Sequence, residues 1–364
     1  MRQLKYTVII NFKLGIPGLI AGVPFFYLMF YNSRKSKNII FTLQVWVAHK
    51  LEPLVAPKIQ SQHDAKYDIR RTKMQGYLIV NEYVNSIKFN EIFKMLVDSA
   101  KNHEVNLVIK TNAEMWKILA DYDYQVSARD LKINFIIFWD KDIKLARVLE
   151  ESGIRLFNSA KSIEICDDKS LAFLELRDKG IVMPKTFLSP KVFNQYSNLE
   201  YFYSVCEITG FPCIIKECLG SFGQQVYLVN NKNELEQTII EIGNRPFIIQ
   251  EYIESSKGRD IRIQIVGNQV VATMYRYNDH DFRANISNGG RMKQYNITQK
   301  QCDMALQVSK ELKLDFGGID ILFGVNDEPI FCEANSNAHF KNLFDCTGIN
   351  TADYIIRYIK EIVK

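Results

Sequence analysis

Residues 317–337 read GGIDILFGVNDEPIFCEANSN, and the pattern of this stretch decides the fold. Ile319-Asp320-Ile321-Leu322 and Pro329-Ile330-Phe331-Cys332-Glu333 are short apolar strands, and the segment from Gly324 to Pro329 between them is rich in turn formers. Two strands joined in this way form a hairpin. That brings Asp320 and Glu333 near each other on one face, with Asn335 just beyond. Like charges so close repel unless a cation sits between them, and hard oxygen ligands of this kind suit Mg2+ held together with substrate phosphates. The pair alone leaves a second reading open, in which both carboxylates are solvated turn residues.

Working outward, a helix is expected over 298–312 before the hairpin, and an amphipathic helix over 352–363 closes the chain. Upstream, 213–216 and 226–229 read as strands around Gly220-Ser221-Phe222-Gly223, with a helix over 234–242. Small residues there let backbone N–H groups approach a phosphate, and Lys216 supplies a point charge; the bland alternative is a plain two-glycine turn. Strands over 247–250, 261–265 and 270–273 read as antiparallel, giving an α+β lobe. A helix carrying Asp167-Asp168-Lys169 is expected to run to Gly180, a C-terminal cap. Between 74 and 160 the pattern is different. Strands over 77–80, 107–109 and 135–138 alternate with helices over 89–100 and 145–149, which implies a parallel α/β sheet.

Composition sets the outer limits. A chain of 364 residues exceeds a single core, and 47% apolar with 24% charged residues excludes disorder. Seven cysteines, at 166, 206, 213, 218, 302, 332 and 346, show neither a CxxC nor clustered metal-ligand spacing, so they read as reduced core thiols in a reducing compartment. The net charge of +5 is uneven: residues 1–73 carry 12 Lys/Arg against 3 Asp/Glu. Within them, 20 uncharged residues, 14–33, are about the length that spans a bilayer. This extension reads as a membrane-anchoring segment, as a packed extension, or as upstream sequence outside the working enzyme, since Lys/Arg flank the run on both sides and give no orientation. No recognition motif for nucleic acid accompanies the basic residues.

Taken in order, the motifs resemble the ATP-grasp superfamily, and more narrowly the RimK-like α-L-glutamate ligase branch of the carboxylate–amine ligases. The resemblance covers about residues 74–364. It is carried by Asp168-Lys169, Gly180-Ile181-Val182-Met183-Pro184-Lys185-Thr186, Ile215-Lys216, Gly220 to Gly223 and Gln250-Glu251-Tyr252-Ile253. Then come Gly258-Arg259-Asp260-Ile261-Arg262, Asp281-Phe282-Arg283-Ala284-Asn285 with Gly289-Gly290, and the opening 21 residues quoted above. It implies an ATP-grasp fold: a basic extension over 1–73, an α/β pre-ATP-grasp domain over 74–160, and an ATP-grasp domain over 161–364 whose two α+β lobes clasp ATP.

The resemblance further implies that Lys169 and Lys216, with Gly220, Ser221 and Gly223, contact the ATP phosphates. Gln250, Glu251, Tyr252 and Ile253 would form the hinge at adenine, and Asp260 would hold ribose. Arg283, Ala284 and Asn285 would face the phosphates and the acyl phosphate, Arg262 and Arg276 would hold a substrate carboxylate unless they form a structural ion pair on their strands, and Asp320, Glu333 and Asn335 would bind two Mg2+ ions, with Mn2+ as a substitute. The implied partners are an amino acid such as L-glutamate and a carboxylate acceptor, in a cytoplasmic homo-oligomer, tethered to the membrane if 14–33 is an anchor. The chemistry agrees: an amide forms in water only if the carboxylate is first activated, and the positive charge needed at the transferring phosphoryl comes from metal, lysine and arginine. Two other readings stay open: a ligase with a different amine, and a non-catalytic nucleotide-binding regulator. Departures fall on the acceptor side, where Asn337-Ala338-His339-Phe340 replaces a proline-glycine turn and Asn288 replaces a common basic residue. His280 and His339 read as packing or surface rather than as general bases.

Overall fold

A computed structural model describes residues 74–84, 86–220 and 223–363. The extension 1–73, with its candidate membrane segment 14–33, and Ser221 of the glycine loop lie outside the described residues. Among the described residues no helix is long and apolar enough to cross a membrane.

The first sheet is built from β1 (Gln75–Val80), β2 (Asn106–Thr111), β3 (Phe135–Trp139) and β4 (Leu156–Phe157), all parallel, in the order β2-β1-β3-β4. Its helices are α1 (Ile87–Asn102), α2 (Asn112–Asp121), α3 (Ala128–Leu131) and α4 (Ile143–Glu151). Every residue of β3, FIIFW, is buried, as a strand covered on both faces requires. Ile136 and Phe138 pack with Leu119, Leu145 and Leu149 on one face, while Phe135, Ile137 and Trp139 pack with Ile92 and Leu96 of α1 on the other.

The expected single helix through Asp167-Asp168-Lys169 is two helices, α5 (Ala160–Asp167) and α6 (Lys169–Leu176). Asp168 breaks the run: its backbone is extended, and its carboxylate accepts from the N–H groups of Ser170 and Leu171, capping α6. The cap signal was in the sequence, but the continuous helical spacing masked it. The consequence is that Lys169 stands at the start of a helix, tied by its backbone N–H to the Cys218 carbonyl.

The second sheet is antiparallel, ordered β5-β8-β6-β7, from β5 (Thr186–Leu188), β6 (Cys213–Glu217), β7 (Val226–Val229) and β8 (Phe247–Glu251), with α7 (Glu200–Thr209) and α8 (Lys232–Ile242) behind it. The third, ordered β11-β10-β9-β12-β13, comprises β9 (Arg259–Val266), β10 (Gln269–Tyr277), β11 (Arg291–Gln294), β12 (Phe316–Phe323) and β13 (Pro329–Asn335). The strands at 247–250 and at 261–273 therefore belong to different sheets. Helix α9 (Gln299–Glu311) covers one face, burying Met304, Ala305 and Val308 against Ile261, Ile263, Ile319 and Ile321. Strand alternation sends Asp260, Arg262 and Asp320 to the opposite face. The chain ends in α10 (Lys341–Thr347) and α11 (Thr351–Ile362), and α11 packs Ile355, Ile356 and Ile359 into the core it shares with α1.

Candidate active site

The hairpin forms as its sequence predicts. β12 and β13 pair antiparallel with Asp320 opposite Glu333 and Gly318 opposite Asn335, while β9 sets Arg262 beside Asp320. The side chains then differ sharply. Asp320 is 2% exposed and accepts three charge-assisted bonds: from Arg262 Nε (2.7 Å), Arg262 Nη2 (2.6 Å) and Arg276 Nη2 (2.8 Å). Burial works to raise its pKa, but Arg262 and Arg276 outweigh it and hold the carboxyl well below the ordinary carboxylate range. A carboxylate offers about four lone-pair sites, so one remains for a cation. Glu333 is looser: Asn335 Nδ2 donates to it at 3.1 Å, and Arg262 stands 3.8 Å away.

Arg276 requires a correction. It is 3% exposed, and its guanidinium donates to both oxygens of Asp260, at 2.6 and 2.7 Å, as well as to Asp320. Burial disfavours its charge, yet Asp260 and Asp320 raise its pKa well above the ordinary value. Arg276 borders the cleft, but with its donors committed to Asp260 and Asp320 it forms a structural ion pair rather than a clamp for a substrate carboxylate. Arg262, with 13% side-chain exposure, lines the main cavity and keeps that role open. Asp260 keeps lone pairs beyond the two that Arg276 uses.

The lysines behave in the opposite way. Lys216 is 9% exposed, and its nearest polar contact is Cys332 Sγ at 3.8 Å. Lys169 Nζ reaches only carbonyl oxygens, those of Cys218 (3.4 Å) and Gly220 (3.3 Å). Neither forms an ion pair with a carboxylate among the described residues. Burial lowers the Lys169 pKa, with Glu333 opposing it and Lys216 and Lys141 adding to it.

Three adjoining cavities gather the predicted residues. One, of about 110 Å³, is lined by Lys216, Gly223, Gln250, Glu251, Tyr252, Ile253 and Asp260, and across from them by Arg283, Ala284, Asn285, Asp320 and Glu333. Lys169, Gly220 and Asn335 line the two beside it, and Glu333 borders all three. Ser221 lies outside the described residues. Gly223 has φ +71, and a Cβ there would meet Asn285 Oδ1 at 2.8 Å, so only glycine fits that turn. Arg283 is positioned by Asp281 (2.7 Å) and donates to the Gly223 carbonyl at 2.6 Å.

These residues fit the groups that the sequence implies. Among the described residues, buried Lys216 and half-buried Lys169 form no ion pair and the buried Tyr252 hydroxyl has no partner, while the acid–acid–amide set offers hard oxygens. The set contains only two acids. No group of three or more His, Cys, Asp or Glu side chains gathers as a metal site among the described residues. Sequence reasoning missed Asn81 and Asp140, which line the cavity of about 290 Å³ at the carboxyl ends of β1 and β3. The available signal was a polar residue directly after a buried parallel strand.

Comparison with known proteins completes the description. A model of the RimK-like ATP-grasp domain matches residues 166–359. A Mycoplasma genitalium protein named "Uncharacterized protein MG012" is 30% identical over 286 residues, covering 75% of this chain and 99% of that one. Human N-acetylaspartylglutamate synthase A is 32% identical over 62% of this chain, which spans only 57% of the human protein. "Glutamate--LysW ligase ArgX" of Sulfurisphaera tokodaii is 32% identical over 59% of this chain and 76% of its own length. Among solved structures, a RimK domain ATP-grasp protein of Sphaerobacter thermophilus aligns with a TM-score of 0.59 at 15% identity, over 78% of this chain and 98% of the other. D-alanine–D-alanine ligase of Bacillus anthracis, complexed with ATP, aligns with a TM-score of 0.60 at 18% identity, over 80% and 98%. At such identities the structural likeness shows the fold.

Proposed function

The chain belongs to the RimK-like ATP-grasp family, and from that premise we propose that it adds L-glutamate, or an amino acid like it, to the carboxylate of a peptide, protein or small-molecule acceptor through an acyl phosphate. It is a carboxylate–amine ligase of the ADP-forming class, working with ATP and Mg2+.

In this reading Lys216 and Lys169 hold the phosphates as point charges, Glu251 and Tyr252 face adenine, and Asp260 offers its remaining lone pairs to ribose. Glu333, Asn335 and Asp320 would hold Mg2+, two ions in this reading. Mg2+ bound there neutralises charge on the phosphates as a Lewis acid. Arg262 and Arg283 stand where the γ-phosphoryl moves to the acceptor carboxylate. The amine then attacks the acyl carbon, phosphate leaves, and an amide remains. The protein positions and neutralises; no side chain needs to become a covalent nucleophile.

The observation that carries this reading is that Lys216 and Lys169, in the cleft with Glu333 and Asn335, form no ion pair among the described residues. A buried cation without a partner, as Lys216 is, is costly unless a ligand brings the anion. The test supplies purified protein with ATP, Mg2+, L-glutamate and a small-molecule and peptide extract, then identifies products by mass spectrometry. The expected result is an acceptor heavier by one or more glutamyl units, formed with ADP. AMP and pyrophosphate would overturn the reaction class. Nucleotide binding without turnover of any acceptor would favour the regulatory reading.

A further inference from the structure

Asn81 and Asp140 follow the carboxyl ends of adjacent parallel strands, where ligands bind open sheets of this kind. Both line the cavity of about 290 Å³ that also reaches Arg262, Glu333 and Asn335. Its size is near the lower end of the about 300–1,000 Å³ usual for small-molecule sites. Asp140 is 6% exposed. Its carboxylate accepts from Asn81 Nδ2 (3.1 and 3.3 Å) and from the Lys141 backbone N–H (2.6 Å), and among the described residues it has no cationic partner. Burial raises its pKa, as expected for a carboxylate without a counter-charge.

A second oxygen beside it also lacks a donor. Asn337 gives its amide N–H to the Asp140 carbonyl at 3.0 Å, which leaves Asn337 Oδ1 buried and unpartnered. The wall of the same cavity is apolar, formed by Val84, Phe89 and Phe93. Of the cations that line it, Arg262 faces Asp320 and Lys141 faces Asp167, while Lys169 stands at the glycine-loop side, against the Gly220 carbonyl. Beside Asp140 an acidic side chain would meet a carboxylate and the Asn337 amide oxygen.

Resting on the ligase reading above, we propose that the acceptor carries a free ammonium group and an apolar body. Its carboxylate lies toward Glu333 and Asn335, its ammonium binds Asp140 and Asn337 Oδ1, and its apolar part packs on Phe89 and Phe93. Asp140 is then a specificity-determining residue: it discriminates by charge against di- and tricarboxylates.

The test is calorimetric binding in Mg2+ and AMPPNP, with four probes: L-leucine, L-leucylglycine and their des-amino analogues, 4-methylpentanoate and 4-methylpentanoylglycine. At least one ammonium-bearing probe should bind about tenfold or more tightly than its analogue, the scale of one hydrogen bond to a charged group. Asp140→Asn should abolish that discrimination while AMPPNP still binds, which also shows that the variant is folded. Equal affinity of both pairs for the wild-type protein, or discrimination that survives Asp140→Asn, would overturn the proposal. Measuring ADP release with L-glutamate in parallel separates the two readings. Discrimination without ADP release for any acceptor supports recognition and removes the ligase reading. ADP release with citrate or N-acetylaspartate, and no preference for an ammonium, removes the recognition and leaves the ligase reading intact.

Discussion

Asp320 and Asp140 are both nearly buried carboxylates, 2% and 6% exposed, and both belong to the same cleft region, yet their surroundings are opposite. Asp320 takes three N–H groups from two arginines, and the second of these is locked in turn by Asp260. Among the described residues Asp140 is met only by amides. Charge that is balanced within the protein is architecture: it fixes the hairpin strand opposite Glu333. Charge without an ion-pair partner among the described residues, on Asp140 as on Lys169 and Lys216, is what we propose a substrate completes. The contrast separates residues that build the site from residues that read its ligands.

The largest effect that tests this contrast is expected at Glu333, on the side that receives ligand. Glu333→Gln keeps size and removes the charge of the proposed metal ligand. ADP release should fall by about two to three orders of magnitude, the scale for loss of one preorganised electrostatic contact. Melting curves should scarcely move. Unchanged turnover would remove Glu333 from the metal set.

Arg276→Met should do the reverse, costing about 3–5 kcal/mol in urea unfolding because it strands two buried carboxylates. The network also sets an acid dependence. Asp320 is depressed in the folded state, so its contribution is present above the unfolded carboxylate pKa of about 3.9 and is lost as pH falls below it toward the folded value. The wild-type protein should therefore lose stability across that window, and Arg276→Met should lose less. A cost under about 1 kcal/mol with an unchanged acid profile would show that the pair is not structural.

Lys216→Ala comes next. It should raise the KM for ATP about tenfold with little change in thermal stability, as fits a point charge whose partner is the ligand. A substantial drop in melting temperature with ATP binding unchanged would make it a structural lysine.

The smallest effect concerns Cys332, whose thiol burial pushes up to about 11 although Lys216 lies beside it. Iodoacetamide at pH 7.5 should leave Cys332 unmodified in the folded protein, as read by peptide mass spectrometry. Rapid labelling would mean that a thiolate, rather than phosphate, already balances Lys216.

How much of this was legible follows from what each feature depends on. The hairpin of Asp320 and Glu333 was readable because period-two alternation and a turn sequence lie within 21 contiguous residues. The glycine requirement at Gly223 was readable as a turn, though not its close approach to Asn285. Arg276 was misread because its partners lie across strands: Asp260 opposes it in register, and Asp320 reaches it from a third strand. No local pattern carries that information. Asp140 was missed for the same reason, since its solitude depends on Asn81, which lies 59 residues earlier, and on the cations that pair elsewhere.

The central claim is that this cleft moves the γ-phosphoryl of ATP onto a carboxylate held beside Glu333 and Asn335. Its most direct test uses an acceptor labelled with 18O in both carboxylate oxygens, with ATP, Mg2+ and the amine, and mass analysis of the phosphate released. The account predicts ADP together with phosphate carrying one 18O atom, taken from the acceptor as the acyl phosphate collapses. Unlabelled phosphate, or AMP with pyrophosphate, would contradict it.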